Sequence, residues 1–391
     1  MIKILARFFI KDRENYSDSK VRSAYGVLCG AFGIFLNILL FAAKLIGGTL
    51  IASVAMVADA FNNLSDAASS LVQILGFKLA SKKPDPEHPF GHGRFEYIAG
   101  LVISFLILLM GFELMKSSVE ALIHPAPVSF EPLAFVIMGL AILVKLYMYF
   151  YNHRIAKKIN SVSMEATAKD SLSDTISTFV VIISVVVSKF TTFPVDGIGG
   201  LIVGFFILKT GYESAKDTIE PLLGLAPSKE LVEAIEKEVI SHKPIMGIHD
   251  LVVHDYGPGR LMVSLHAEVP GDMDVFELHD VIDVAEVSVA TKIGCHCVIH
   301  LDPIDCKNER LVELKNIIRE EIAKINTEIT FHDVRMVPGI THTNLIFDVV
   351  KPFDCNLKDE ELKKQLFTAI NSRCPDVLSV ITVDIPFVKN V

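Results

Sequence analysis

Residues 25 to 52, YGVLCGAFGIFLNILLFAAKLIGGTLIA, contain a single charged side chain, Lys44. A helix needs about 20 predominantly apolar residues, rising about 1.5 Å each, to cross a hydrocarbon core. This stretch meets that length. It confines the chain to folds that satisfy every backbone polar group internally, which for apolar runs of this kind means membrane helices. Comparable runs at 53–80, 95–122, 129–152, 163–188 and 196–222 predict five more. The expected architecture is a six-span α-helical membrane bundle over residues 25–222, preceded by a cytoplasmic segment, residues 1–24.

Lysine and arginine give the expected orientation. Lys3, Arg7, Lys11, Arg13, Lys20 and Arg22 precede the first run; Lys78, Lys82, Lys83 and Arg94 surround the second-to-third connection; Arg154, Lys157 and Lys158 lie between the fourth and fifth. The connections on the other side have only Lys116 and Lys189 at their edges. The positive-inside rule then puts both termini in the cytoplasm. No removable secretory signal is expected, because the N-terminal segment lacks a short apolar run followed by a small-residue cleavage site.

Beyond residue 220 the composition changes. Residues 1–220 hold 20 Lys and Arg against 18 Asp and Glu, whereas 221–391 hold 17 against 28, together with nine of the 13 histidines. An acidic, histidine-rich cytoplasmic region is a poor match for nucleic acid, whose phosphates require clustered positive charge. Its hydrophobic pattern reads helix (SKELVEAIEKEVISH), strand (GIHDLVVHDY), strand (LMVSLHAEV), helix (VFELHDVIDVAEVSVATK), strand (HCVIHLDP). The same order recurs as NERLVELKNIIREEIAKI, ITFHDVRMV, TNLIFDVV, KDEELKKQLFTAI and VLSVITVDIP. Both halves have the αββαβ order of a ferredoxin-like α+β sandwich, predicting a duplicated tail with domains at 226–305 and 306–391. His249-Asp250 recurs as His332-Asp333.

Within the apolar runs, two polar pairs stand at i,i+4 spacing: Asn62 with Asp66, and Asp170 with Asp174. Each pair presents its oxygens on one helix face, about 6 Å apart along the axis, and two such helices packed together would form a four-ligand cage. One aspartate at the bilayer centre costs roughly 2.5–3.5 kcal/mol, so three of them require compensation, which a divalent cation would supply. Hydrogen bonding between helices through Ser65, Ser171 or Ser173 is the alternative reading. Asp59, one turn before Asn62, is expected to cap the helix or support the ligands rather than to ligate directly.

VADAFNNLSDAASSL, DPEHPFGHGRFEY and DSLSD, in this order, resemble the signatures of the cation diffusion facilitators over residues 20–303. The resemblance implies a dimeric six-helix divalent-metal/proton antiporter with a cytoplasmic ferredoxin-like domain. It implies a transport site at Asn62, Asp66, Asp170 and Asp174, a loop site at Asp85, His88 and His92, and a cytoplasmic site at His249, His266, His279, His300 and Asp302. Relatives selective for zinc usually place histidine at the position of Asp170. The oxygen set here resembles the manganese-exporting branch and suits a hard cation. Mn²⁺ is therefore the expected cargo, ahead of Fe²⁺ and then Zn²⁺ or Co²⁺; a metal-gated channel or sensor is the alternative in kind.

Three clustered carboxylates repel one another, so each should exchange its proton for metal, and alternating access would couple efflux to the inward proton gradient. No GxxxxGK[ST] loop points to ATP, and no GxGD motif points to an intramembrane aspartyl protease. An enzyme is not expected, nor is a prosthetic group. The expected partners are divalent ions, protons, the lipid bilayer and a second copy of the chain, in a bacterial plasma membrane. The second sandwich keeps His332-Asp333 but lacks HxD at VDIP, and is expected to be structural, extending the dimer contact or binding another partner. The acidic partner that relatives offer to the basic residue after GHG, here Arg94, falls at Gly224, leaving Glu220 or an acid of the tail as substitutes.

Overall fold

The computed structural model describes residues 2–16, 18–50, 54–123, 132–187, 195–340 and 342–386. The connections at 124–131 and 188–194, and with them Lys189, lie outside the described residues, as does the side chain of Asp59. The chain divides into two compact units, one of Met1–Leu225 with Asp255–Arg260 and one of Ala226–His254 with Leu261–Val391.

The first unit is helical. A short helix, α1 (Ile2–Phe9), precedes six long ones: α2 (Ser19–Leu50), α3 (Val54–Ala80), α4 (Phe95–Ile123), α5 (Pro132–Ile159), α6 (Val162–Val187) and α7 (Val195–Leu223). Among the described residues, Lys20–Gly47, Phe95–Ile123 and Pro132–Ile159 are long and apolar enough to cross a membrane, with mean hydropathies of 2.2, 2.4 and 2.1. These belong to α2, α4 and α5. The two polar pairs lie on α3 and α6, where intramembrane polar side chains are expected to face the bundle interior.

Burial in this unit fits that rule. Gln73, Ser104, Ser171 and Thr218 are buried, while Phe35, Leu109, Phe112 and Phe205 are exposed. Large apolar side chains outside and small polar ones within is the arrangement a bilayer selects, since lipid provides no hydrophobic drive to bury leucine. Polar contacts join the helices: Ser104 Oγ donates to Ser214 Oγ at 2.9 Å between α4 and α7, and Gln73 Nε2 to the Gly26 carbonyl at 3.2 Å between α3 and α2.

A buried charge pair closes one end of the bundle. Arg22 of α2 forks the Glu96 carboxylate of α4 at 2.6 and 2.8 Å, and also donates to the carbonyls of Ile159 and Asn160. Glu96 is fully buried. Removing one partner strands the other charge, which typically costs about 3–5 kcal/mol. Glu96→Ala should therefore lower the thermal midpoint of the detergent-solubilised protein markedly, whereas Asp217→Ala, at an exposed pair with Lys169, should leave it nearly unchanged.

Arg94 does not meet a carboxylate of α7. It donates to the Asp255 carbonyl at 3.0 Å and lies 4.6 Å from the centroid of the Tyr256 ring. Tyr97 binds the Asp255 carboxylate at 3.0 Å. Of the expected substitutes, Glu220 pairs with Lys216 at 3.4 Å, and the tail acid Asp255 meets Arg94 through its backbone carbonyl.

The second unit begins with α8 (Lys229–Ile240), β1 (Gly247–Asp255), β2 (Leu261–Pro270), α9 (Val275–Val289) and β3 (Cys295–Ile304). It continues with α10 (Glu309–Ile325), β4 (Thr330–Pro338), β5 (Thr343–Val350), α11 (Asp359–Arg373) and β6 (Val377–Asp384). Two three-stranded sheets result, ordered β1-β2-β3 and β4-β5-β6. In each the last two strands run parallel, pairing His266 with His300 in the first and Asp348 with Thr382 in the second.

Side chains start and fix these elements. Ser228, Asp274 and Asn308 cap α8, α9 and α10 by accepting from backbone N–H groups of the first turn. Strand alternation buries Val263, Leu265, Ala267 and Val269 of β2, and Leu345, Phe347 and Val349 of β5, in two separate cores. Asp250 and Asp333 occupy the same place in the two sheets and share a left-handed backbone, with φ of 51° and 54°, which aspartate tolerates better than most residues.

Candidate functional site

The i,i+4 spacing on α3 and α6 brings the three membrane carboxylates together. Oxygens of Asp66, Asp170 and Asp174 all lie within 4.8 Å of one another. Asp66 and Asp170 are buried. A cavity of about 260 Å³ is lined by Asn62, Asn63, Asp66 and Asp174, with Lys44, Glu113 and Lys145 among the other walls. Asn62 stands exposed on that wall, while the neighbouring Asn63 is buried and donates to Asp66 Oδ2 at 3.2 Å.

The all-oxygen cage needs a correction. Lys145 of α5 inserts its ammonium between two of the carboxylates, 2.7 Å from Asp66 Oδ2 and 2.6 Å from Asp174 Oδ2. It is 4% exposed. With all three carboxylates ionised, Lys145 offsets one of their three negative charges, and Lys44 and Glu113 face the same cavity with opposite charges. The sequence carried a signal for this residue, since a lone lysine in AILVKLYMYF is a functional candidate by virtue of its cost in lipid.

In the loop before α4, Asp85, His88 and His92 also converge within 4.8 Å. Asp85 lies 3.3 Å from each imidazole, using one oxygen for His88 Nδ1 and the other for His92 Nε2. The His88 backbone N–H and side chain both hold the Asp85 carboxyl below its ordinary value. Gly91, between the histidines, has φ of +86°, a conformation that a side chain would strain.

The cytoplasmic set assembles in part. Asp302 Oδ2 lies 2.8 Å from His266 Nδ1 and 3.1 Å from His249 Nε2, and His300 reaches Asp302 Oδ1 at 3.3 Å. His279 does not join them; on the exposed face of α9 it faces Asp283 at 3.4 Å. Burial draws the His249 imidazole down, but its hydrogen bond with Asp250 and the charges of Asp333, Asp250 and Asp302 outweigh burial and hold it above the ordinary histidine value. His332 and Asp333, on the second sandwich expected to extend the dimer contact or bind another partner, come within reach of His249 and Asp250. The sequence showed the repeated His-Asp pair, but not that the two copies meet.

Residues 31–223 match the cation efflux transmembrane domain, and residues 227–304 the cation efflux protein cytoplasmic domain. An uncharacterized transporter of Methanocaldococcus jannaschii is 34% identical over 69% of this chain and 95% of its own length. The manganese efflux system protein MneS of Bacillus subtilis is 28% identical over 69% of this chain and 93% of its own. The zinc transporter ZitB of Pectobacterium atrosepticum is 28% identical over 59% and 73%, respectively. Such matches define a transporter of divalent cations, not an enzyme. The chain belongs to the cation efflux, or cation diffusion facilitator, family.

Proposed function

We propose that the protein exports Mn²⁺ in exchange for protons, by alternating access at a site built from Asn62, Asp66, Asp170 and Asp174. The observation that carries this reading is the convergence of three carboxylates from α3 and α6 around the buried ammonium of Lys145. The cargo donors are oxygens, which favour a hard ion, while imidazoles are confined to the loop and tail. Lys145 and the cargo compete for the same two carboxylates, so an arriving ion must displace or share with a tethered cation. Protons compete in the same way, and this gives an antiporter its means of release.

Around this site we infer six membrane spans over residues 25–222, with both termini cytoplasmic, in a bacterial plasma membrane. Residues 226–305 and 306–391 form two ferredoxin-like repeats, and the chain works as a homodimer. Asp85, His88 and His92 hold a second ion beside the membrane; His249, His266, His300 and Asp302 hold cytoplasmic metal, with His279 available to a partner from its exposed position.

Proteoliposomes under an imposed pH gradient test the cargo. Mn²⁺ flux should saturate and exceed that of Fe²⁺, Zn²⁺ and Co²⁺ at equal free concentration. A preference for Zn²⁺ would overturn the assignment of Mn²⁺, and flux that never saturates would point to a channel.

A further inference from the structure

We propose that each chain binds a further divalent cation between the two halves of its cytoplasmic unit, at His249 and Asp250 of β1 and His332 and Asp333 of β4. One ligand atom from each of the four lies within 4.8 Å of the others. The contact is reciprocal. His249 Nε2 lies 3.4 Å from Asp333 Oδ1, and His332 Nε2 lies 3.5 Å from Asp250 Oδ1. The two imidazoles stack between them, with centroids 4.5 Å apart and planes inclined by 22°.

These side chains are buried without the hydrogen bonds that burial demands. The His249 and His332 side chains are 8% and 7% exposed. His249 Nε2 and both nitrogens of His332 have no hydrogen-bond partner among the described residues. Buried polar atoms in native proteins are nearly always satisfied. Here, unsatisfied nitrogens stand beside carboxylate oxygens at distances slightly too long, or angles too poor, for good hydrogen bonds. A tetrahedral ion with bonds of about 2.0–2.1 Å keeps its ligand atoms roughly 3.3 Å apart. The two reciprocal contacts match that edge length, whereas the His266 to Asp302 hydrogen bond, at 2.8 Å, does not.

Two imidazoles and two carboxylates suit Zn²⁺ or Co²⁺ better than Mn²⁺. The site would therefore take a different ion from the oxygen-lined transport site and fasten β4 to β1 within one chain. His249 also belongs to the cytoplasmic set described above, and its Nε2 faces both Asp302 and Asp333; one nitrogen holds one ion, so in a chain with both ions bound His249 serves this site and His266, His300 and Asp302 hold the other. The inference does not depend on the transport reading.

The test uses the full-length protein in detergent micelles with Co²⁺ as the probe. Wild type is compared with His332→Gln/Asp333→Asn, in which asparagine keeps the left-handed backbone, and with His332→Gln alone in case the double variant folds poorly. Wild type should bind one more Co²⁺ per chain by equilibrium dialysis than either variant. It should also show a larger Co²⁺-induced rise in thermal midpoint than either variant, because each ion bound only to the native state adds to its stability. The same difference should persist when His332→Gln is compared with its parent on an Asp174→Ala background. Equal Co²⁺ stoichiometry and an equal rise in wild type and in the folded variants would overturn the proposal.

Discussion

Asp174→Ala should lose nearly all divalent-cation flux in reconstituted vesicles, while the protein remains folded. Asp174 contributes to the three-carboxylate cluster and also contacts Lys145 at 2.6 Å. Losing even an outer partner of a metal ligand costs about 10–100-fold, so losing a ligand should reduce flux by at least about 100-fold. Folding survives because Lys145 keeps its 2.7 Å contact with Asp66, and no buried charge is left alone. Asp217→Ala, at the exposed end of a contact with Lys169, serves as the matched control and should transport at the wild-type rate. Full flux in Asp174→Ala would remove the membrane cluster from the pathway.

Lys145→Met separates binding from turnover. The substitution keeps the length of the side chain and removes its charge, so the cargo no longer competes with a tethered ammonium for Asp66 and Asp174. Breaking a buried ion pair typically costs about 3–5 kcal/mol because the remaining charge lacks a partner, and a bound divalent ion recovers that loss. Each 1.4 kcal/mol is worth about tenfold in affinity, so the variant should bind Mn²⁺ at least about tenfold more tightly. Release slows to the same extent, and steady-state flux falls. Binding measured by calorimetry and flux measured in vesicles should thus move in opposite directions. A variant that binds Mn²⁺ no better than wild type would show that Lys145 does not compete with the cargo.

How much of this was legible in the sequence depended on whether the signal was local. The run from 25 to 52 announced α2, although the helix begins earlier, at Ser19, because Arg22 finds Glu96 and so can enter the packed bundle. Alternation located the strands closely: HCVIHLDP lies within β3 and TNLIFDVV coincides with β5. The i,i+4 rule found Asp66, Asp170 and Asp174, since a helix fixes which side chains share a face.

What escaped was set by tertiary contact. Lys145 is separated by 79 residues from Asp66 and by 29 from Asp174, and no periodicity links them. Asn62 and Asn63 both line the cavity and stand at i,i+4 and i,i+3 from Asp66, so spacing allows either to reach it, and packing decides that Asn63 does. Gly224 at the expected acidic position left the partner of Arg94 open between Glu220 and an acid of the tail; the contact comes from the tail, but through the Asp255 backbone carbonyl and the Tyr256 ring rather than a carboxylate. Among the described residues, three of the six long helices qualify as spans by length and apolarity, and α3 and α6, which carry the polar site residues, are not among them.

The most direct test of proton-for-metal exchange at this cluster follows Mn²⁺ entry and lumenal pH together, in vesicles with no imposed pH gradient. Added Mn²⁺ should drive protons out, raising lumenal pH at a rate proportional to metal entry, and neither signal should appear with Asp174→Ala. Mn²⁺ entry through the wild-type protein without any proton movement would contradict that exchange.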